Sequence, residues 1–354
     1  MRRSQPLIIV IVLTVILLLL SSPLPNIDVT ELPWHLKQID VVGAWNIADG
    51  GNPNLTIAVI DSGIDFYHPK LVHSQWINLD EIVDNGLDDD RNGYVDDGYG
   101  WDFVSDDNTP GWDYEDPINS HGTFIAGIIA ARNTTNRRMI IGISNNVKIM
   151  DIRILNQTGH TAGLNWTQTM ARALRYAITN GADVISLSIQ FPIFSEVIKE
   201  AMDEAININI PVVSITGNSF VNDTGKGLQY SSFPGAYDNV IAVGATNFYY
   251  GKADYANYGS SVELVAPVGD HNAFDNQKIR STSLYDDYAY GIGTSFAAPQ
   301  VAATIALMKS VNDELSVEGI REILHTTAID LGEVGWASLQ SIPFLRYFRQ
   351  KIPD

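Results

Sequence analysis

Three short motifs place side chains capable of chemistry where a fold would expose them. In "AVIDSG" (58–63) Asp61 follows an apolar run, so its carboxylate should meet the rim of a sheet, where Ser62 and Gly63 let the chain turn. "NSHGTFIAGIIAA" (119–131) sets His121, whose side chain titrates near neutral pH, at the mouth of a helix in which Gly122, Ala126, Gly127 and Ala130 permit close packing. "GIGTSFAAPQVAATIAL" (291–307) puts the hydroxyl of Ser295 at another helix start, with Gly291 and Gly293 clearing space and Pro299 tolerated in the first turn. Taken singly, each has an ordinary structural reading: the serine as an N-cap, the aspartate as a turn former, the histidine as a packed side chain.

A fourth stretch, "GLDDDRNGYVDDGYGWDF" (86–103), has the chemistry of a cation site. Asp88, Asp90, Asn92 and Asp96, with Gly93 between them, follow the start of a calcium loop, in which alternate oxygens converge on one hard ion. These four and Tyr94 are the candidate ligands. The twelfth position is Tyr99 where an EF-hand needs a bidentate Glu, so the expectation is an irregular Ca2+ site, and the alternative is a solvated acidic turn. Residues 80–116 hold fourteen Asp and Glu against Arg91 alone, a concentration of charge that repels itself unless cations intervene.

These residues need a scaffold. Apolar, β-branched runs recur at 55–60, 147–154, 183–189, 210–216, 239–245 and 262–267 and read as buried parallel strands. Helical patterns alternate with them at 122–131, 166–179, 195–206, about 295–309 and 316–325. The alternation predicts an α/β three-layer sandwich with a mostly parallel central sheet, its sites at the carboxyl ends of strands. No repeat or low-complexity linker divides 31–345, so one domain spanning 27–354 is expected, with an acidic insertion at about 80–116.

The chain has 354 residues, 45% of them hydrophobic, and a net charge of −19, with its 22 Lys and Arg scattered; nucleic acid is thereby excluded as a partner. Residues 1–26 open with Arg2 and Arg3 followed by an apolar run from 7 to 20, which reads as an export signal or, with no small-x-small cleavage site after it, an uncleaved membrane anchor. Either way the remainder is expected outside the cytoplasm, as a monomeric ectodomain. There are no cysteines, so bound calcium would supply the cross-linking that other exported proteins take from disulfides.

Together and in this order, the Asp motif, H-G-T and G-T-S-x-A-x-P resemble the three signatures of the subtilisin-like serine proteases, the subtilase family. The resemblance continues through "LPWHLKQIDVVGAW" (32–45), "FPGAYDNVIAVGAT" (233–246), "YANYGSSVELVAP" (255–267) and "ILHTTAIDLGEVGWASLQ" (323–340). The chain order Asp, His, Ser is also the subtilisin order. The resemblance implies an endopeptidase acting on polypeptides, with Ser295 as nucleophile, His121 as its base and later its acid, and Asp61 fixing the imidazole. It implies an oxyanion donor in Asn218 of "SITGNSF" (214–220), with the helix dipole at Ser295 adding to it. The acidic insertion would then be calcium-stabilised support between Asp61 and His121 rather than the protein's purpose.

Two departures bear on substrate choice. The family usually lines one wall of its cleft with S-L-G, whereas this chain has Ser188, Ile189 and Gln190. Before the oxyanion Asn, where small residues are usual, it has Ser214, Ile215 and Thr216, followed by Gly217. Gln190 is expected to fill space and disfavour large aromatic side chains just before the cut. Two rivals share the scaffold, a calcium-dependent binding protein and a peptide ligase. Only about a dozen residues separate Leu20 from "LPWHLKQID", too few for the folded prosegment typical of secreted subtilases, so calcium ordering of 80–116 is expected to assist folding.

Overall fold

The apolar runs form strands because they can be buried on both faces. The computed structural model describes residues 29–111, 119–132, 140–161, 165–219, 229, 231–331 and 337–338. The chain divides after Leu32, and what precedes that point is described only for the turn at 29–32. The expected export segment and parts of the acidic insertion and of the carboxyl-terminal motif lie outside the described residues.

In the unit from Pro33 onward, two short helices, α1 (Trp34–Gln38) and α2 (Val41–Ala48), lead into β1 (Thr56–Asp61), every residue of which is buried. Then come β2 (Gly100–Asp102), α3 (Ser120–Ala130), β3 (Lys148–Arg153), α4 (Trp166–Thr179), β4 (Val184–Leu187), α5 (Glu196–Asn207), β5 (Val212–Ile215), β6 (Ile241–Thr246) and β7 (Leu264–Pro267). The hairpin β8 (Ile279–Thr282) and β9 (Tyr288–Gly291), the helices α6 (Ala298–Val311) and α7 (Val317–Thr327), and the short β10 (Ile329–Asp330) and β11 (Ala337–Ser338) complete it. The sheet runs β10-β11-β7-β6-β5-β4-β1-β3-β2 and is parallel from β11 to β2.

Period-two alternation sorts the strands' side chains between two helical layers. Ala58, Ile60, Met150, Ile152, Ile185 and Leu187 face α4 and α5, which answer with Met170, Leu174, Ile198 and Met202. On the opposite face lie α3 and α6, buried nearly all round, as their small and apolar sequences require. Chain order reverses at β1, which is flanked by β3 and β4, so the carboxyl end of β1 opens on the crevice where α/β sheets bind ligands.

The expected strands and helices are all present within a few residues. The glycine- and aspartate-rich β2, the hairpin β8–β9, the two-residue β10 and β11, and the short α1 and α2 were not foreseen. The helix expected to start at Ser295 starts three residues later: Thr294–Phe296 is a single 3₁₀ turn, and α6 begins at Ala298 with Pro299 in its first turn. Proline has no N–H to donate, so the ladder takes shape only after it. Ser295 therefore lies in the 3₁₀ turn that leads into α6 rather than at the helix's N-cap, which is Ala297.

Candidate active site

Asp61 ends β1, and Asn119 caps α3 by accepting the N–H of His121 at 2.9 Å, which fixes His121 in the first turn. That turn can approach β1 because the next residue is glycine: a Cβ on Gly122 would stand 2.4 Å from the carbonyl oxygen of Gly63. Ser62 locks the contact, its hydroxyl donating to the carbonyl of Asn119 and accepting the N–H of Gly122, each at 3.0 Å. From below, Ser281 and Thr282 of β8 donate hydroxyl bonds to the carbonyls of Phe124 and Thr123, both at 2.7 Å.

The result is a hydrogen bond of 2.8 Å between His121 Nδ1 and Asp61 Oδ1, which also accepts the N–H of Ser62 at 2.8 Å. Burial is the largest influence on the imidazole and pulls its pKa down, but the charge and the hydrogen bond of Asp61 together outweigh it, and the net shift is upward. Asp151 on β3, fully buried, has its carboxyl pushed well above the usual range, chiefly by burial. The ring of Phe296 flanks His121 at 5.5 Å between centroids.

His121, Ser295 and Asn218 line one cavity of about 310 Å³ together with Ser62, Asn119, Leu155, Gly159, Ser188, Ile189, Gln190 and Ile215. The Ser295 hydroxyl donates to the carbonyl of Ser188 at 3.3 Å, and the Ser188 hydroxyl donates to the carbonyl of Ser295 at 2.7 Å. Asn218 Oδ1 accepts from both the backbone N–H and the hydroxyl of Thr294, at 2.8 and 2.9 Å. With its oxygen so occupied, the amide group left to donate, among the described residues, is Nδ2. Gln190 reaches across from the end of β4: its Oε1 accepts the N–H of Asn218 at 2.6 Å and its Nε2 donates to the carbonyl of Asn218 at 3.3 Å.

The arrangement thus offers a hydroxyl, an imidazole oriented by a carboxylate, and an amide donor around one space, which are the parts of acyl transfer. Of the expected pocket residues, Ser188, Ile189 and Gln190 line the cavity. Thr216 does not: it is fully buried, and its hydroxyl donates to the carbonyl of Asn257, while Ile215 takes the lining position. Gly217, also expected there, is not among the lining residues; it adopts φ +98°, and a Cβ there would meet Ser232 Oγ, Asn257 Nδ2 and Gln190 Oε1, all within 2.9 Å. Thr294, Leu155 and Gly159 were not singled out from the sequence; Thr294 adjoins Ser295 and was in view, whereas Leu155 and Gly159 are reached only through the fold.

The acidic loop gathers differently from its sequence pattern. Glu81, Asp90 and Asp97 each offer a carboxylate oxygen, all within 4.8 Å of one another. Asp88 instead accepts the N–H groups of Asn92 and Gly93, and Asp96 those of Asn85 and Gly86, so these two shape turns. Asn92 Nδ2 bridges Asp90 and Asp97, while the Tyr94 ring packs edge-on against Trp101 and Tyr176. Glu81 Oε1 accepts the N–H groups of Asp89 and Asp90, but its Oε2 is buried with no hydrogen-bond partner among the described residues. Asp97 is fully buried, accepts the Tyr176 hydroxyl at 2.6 Å, and has its pKa raised by burial. Glu81 and Asp97 lie outside the alternating pattern, which is why spacing did not reveal them.

The profile of the subtilase family matches residues 52–341. The chain is 34% identical over 292 residues to a thermophilic serine proteinase of Bacillus sp. (strain AK1), covering 82% of this chain and 60% of that protein. It is 31% identical over 303 residues to thermitase of Thermoactinomyces vulgaris, covering 85% and 90%. It is 30% identical over 287 residues to the major intracellular serine protease of Bacillus subtilis (strain 168), covering 81% and 78%.

Proposed function

The chain belongs to the subtilase family, and from that premise we propose that it is a serine endopeptidase that cleaves polypeptides with Ser295 as nucleophile and is stabilised by calcium in its acidic loop. The observation that carries the reading is the 2.8 Å pair of Asp61 and His121 opening on the cavity that also holds Ser295 and Asn218.

In this reading Ser295 Oγ leaves the Ser188 carbonyl for His121 Nε2, gives up its proton there, and attacks the substrate carbonyl carbon. Asp61 holds the proton-bearing Nδ1 toward itself and steadies the imidazolium. The carbonyl oxygen, now an anion, accepts from Asn218 Nδ2 and the N–H of Ser295, and Thr294 keeps the amide turned the right way. His121 then passes its proton to the leaving amine, the acyl group stays on Ser295, and a water activated by the same imidazole releases it. Purified protein should hydrolyse casein and react with a serine-directed phosphonate at Ser295. Ser295→Ala should lose both properties, and hydrolysis surviving in that variant would overturn the assignment.

The residues of the acidic loop fit calcium. Three converging carboxylates, two of them buried, and an unpartnered buried oxygen on Glu81 form an all-oxygen donor set suited to a hard cation. Glu81, Asp90 and Asp97 would hold the ion, which supplies charge neutralisation there and no catalytic step. Export rests on the amino-terminal sequence alone. Among the described residues no helix is long and apolar enough to cross a membrane, and the run at 7–20 lies outside them. An epitope placed after residue 354 and probed on intact cells and in the medium would separate an anchored from a released protein.

A further inference from the structure

Two walls of the cavity come from neighbouring parallel strands, Ser188, Ile189 and Gln190 after β4, and Ile215 at the end of β5 with Asn218 beyond it. The gap between them is where the side chain preceding the cut must enter if Ser295 attacks and Asn218 receives the oxyanion. Gln190, an exposed residue, bridges that gap with a two-point amide bond to the backbone of Asn218. The fit is close, since a Cβ on Gly217 would stand 2.9 Å from Gln190 Oε1. An amide side chain that pairs with both polar groups of one backbone residue is held in place by them, not merely packed there.

We infer that Gln190 is a specificity-determining strap, joined by its amide to the backbone of the oxyanion residue Asn218 and shut against large side chains just before the cut. The inference rests on the protease reading above. It adds a coupling between pocket and catalysis. A small side chain leaves the strap closed and Asn218 held on both its backbone, by Gln190, and its side chain, by Thr294. A large one must displace the strap, and in doing so frees the backbone of the residue that stabilises the oxyanion. Bulky substrates are then penalised in kcat as well as in binding, which volume alone would not do.

The test compares Gln190→Gly, which removes strap and bulk, with Gln190→Met, which keeps comparable length and volume but has no amide. In the Ser295→Ala background, binding of N-acetylated tetrapeptides ending in Ala or in Phe is measured by calorimetry; the last side chain occupies the pocket and the carboxylate stands in for the oxyanion. With Gln190 present, the Ala peptide should bind about tenfold or more tightly than the Phe peptide, and in both Gln190 variants the ratio should fall to roughly threefold or less. Retention of the tenfold preference by the Met variant, or equal binding of the two peptides with Gln190 present, overturns the strap. With Ser295 restored, matched anilide substrates should show kcat for Phe rising relative to Ala in both variants, and kcat ratios left at the parent's value would refute the coupling. Failure of the protease reading looks different: the parent would turn over neither anilide while the binding ratios stood as expected.

Discussion

At the residue scale, the upward shift on His121 sets the direction of two pH dependences. Catalysis needs the neutral imidazole, so kcat/KM should rise with pH along a limb centred above 6.5, the ordinary histidine value. Stability runs the other way: because the folded pKa is raised, the Asp61 contact contributes fully below the unfolded value and its contribution is lost as pH rises through the folded one. Asp61→Asn should move the activity limb toward lower pH and reduce kcat by about 10⁴; a limb that stays in place would mean that Asp61 does not govern the base. Asn218→Ala should lower kcat about 10²–10³ with little change in KM, a magnitude taken from subtilisin and so tied to the family assignment. A loss confined to KM would assign Asn218 to substrate binding instead.

At the element scale, two tethers are open to test. The acidic loop is joined to α4 through Asp97 and the Tyr176 hydroxyl, so an ion at Glu81, Asp90 and Asp97 would brace the loop against the helical layer. In the Ser295→Ala background, where self-digestion cannot intrude, calcium at a hundredfold excess over Kd should add about 2.7 kcal/mol of stability. Glu81→Gln should abolish most of that increment, while Asp88→Asn should lower stability with and without calcium alike, since Asp88 caps a turn. An increment kept in Glu81→Gln but lost in Asp88→Asn would favour the alternating ligand set over the converged one. The second tether holds α7 to the segment before β7, where buried Glu263 receives Arg321 at 2.7 Å and His325 at 2.8 Å. Burial is the largest influence on Glu263 and raises its pKa, but the two partners outweigh it and the net shift is downward. The pair therefore stabilises fully above pH 4.5, and its contribution fades as pH falls through the lowered value. Arg321→Ala should cost about 1–3 kcal/mol and shift acid unfolding to higher pH, and an acid midpoint equal to the parent's would remove this role.

At the scale of the whole molecule, the order of the sheet governs how it can assemble. β1 lies in its interior, yet its neighbours β3 and β4 come only after the acidic loop and α3 have been made. Closing such non-local pairings is slow, and the excess of carboxylates between β1 and α3 opposes it further. Urea-denatured Ser295→Ala protein should therefore regain native circular dichroism faster in calcium than in chelator, by about tenfold or more. Equal rates would show that calcium acts only on the finished fold.

Sequence by itself determined six of the parallel strands and the main helices, because buried parallel strands are continuous apolar runs, and the family resemblance of its motifs named Asp61, His121, Asn218 and Ser295 as candidates. It also placed Gln190 in the cleft and foresaw its bulk. Tertiary structure decided what those residues touch. That Gln190 bonds to the backbone of Asn218 depends on β4 and β5 being neighbours, a pairing of segments distant in the chain. Thr216 was read as lining the pocket, yet its strand-end geometry turns it into the core and brings Ile215 forward, since successive side chains point to opposite faces. The acidic loop shows the same limit: alternation singled out Asp88 and Asp96, whose carboxylates accept backbone N–H groups of the loop, while the converging carboxylates include Glu81 and Asp97, which only the folded chain brings beside Asp90. Spacing along a chain reports which side chains share a local turn. Which of them share a site depends on hydrogen bonds and packing that close over long sequence separations.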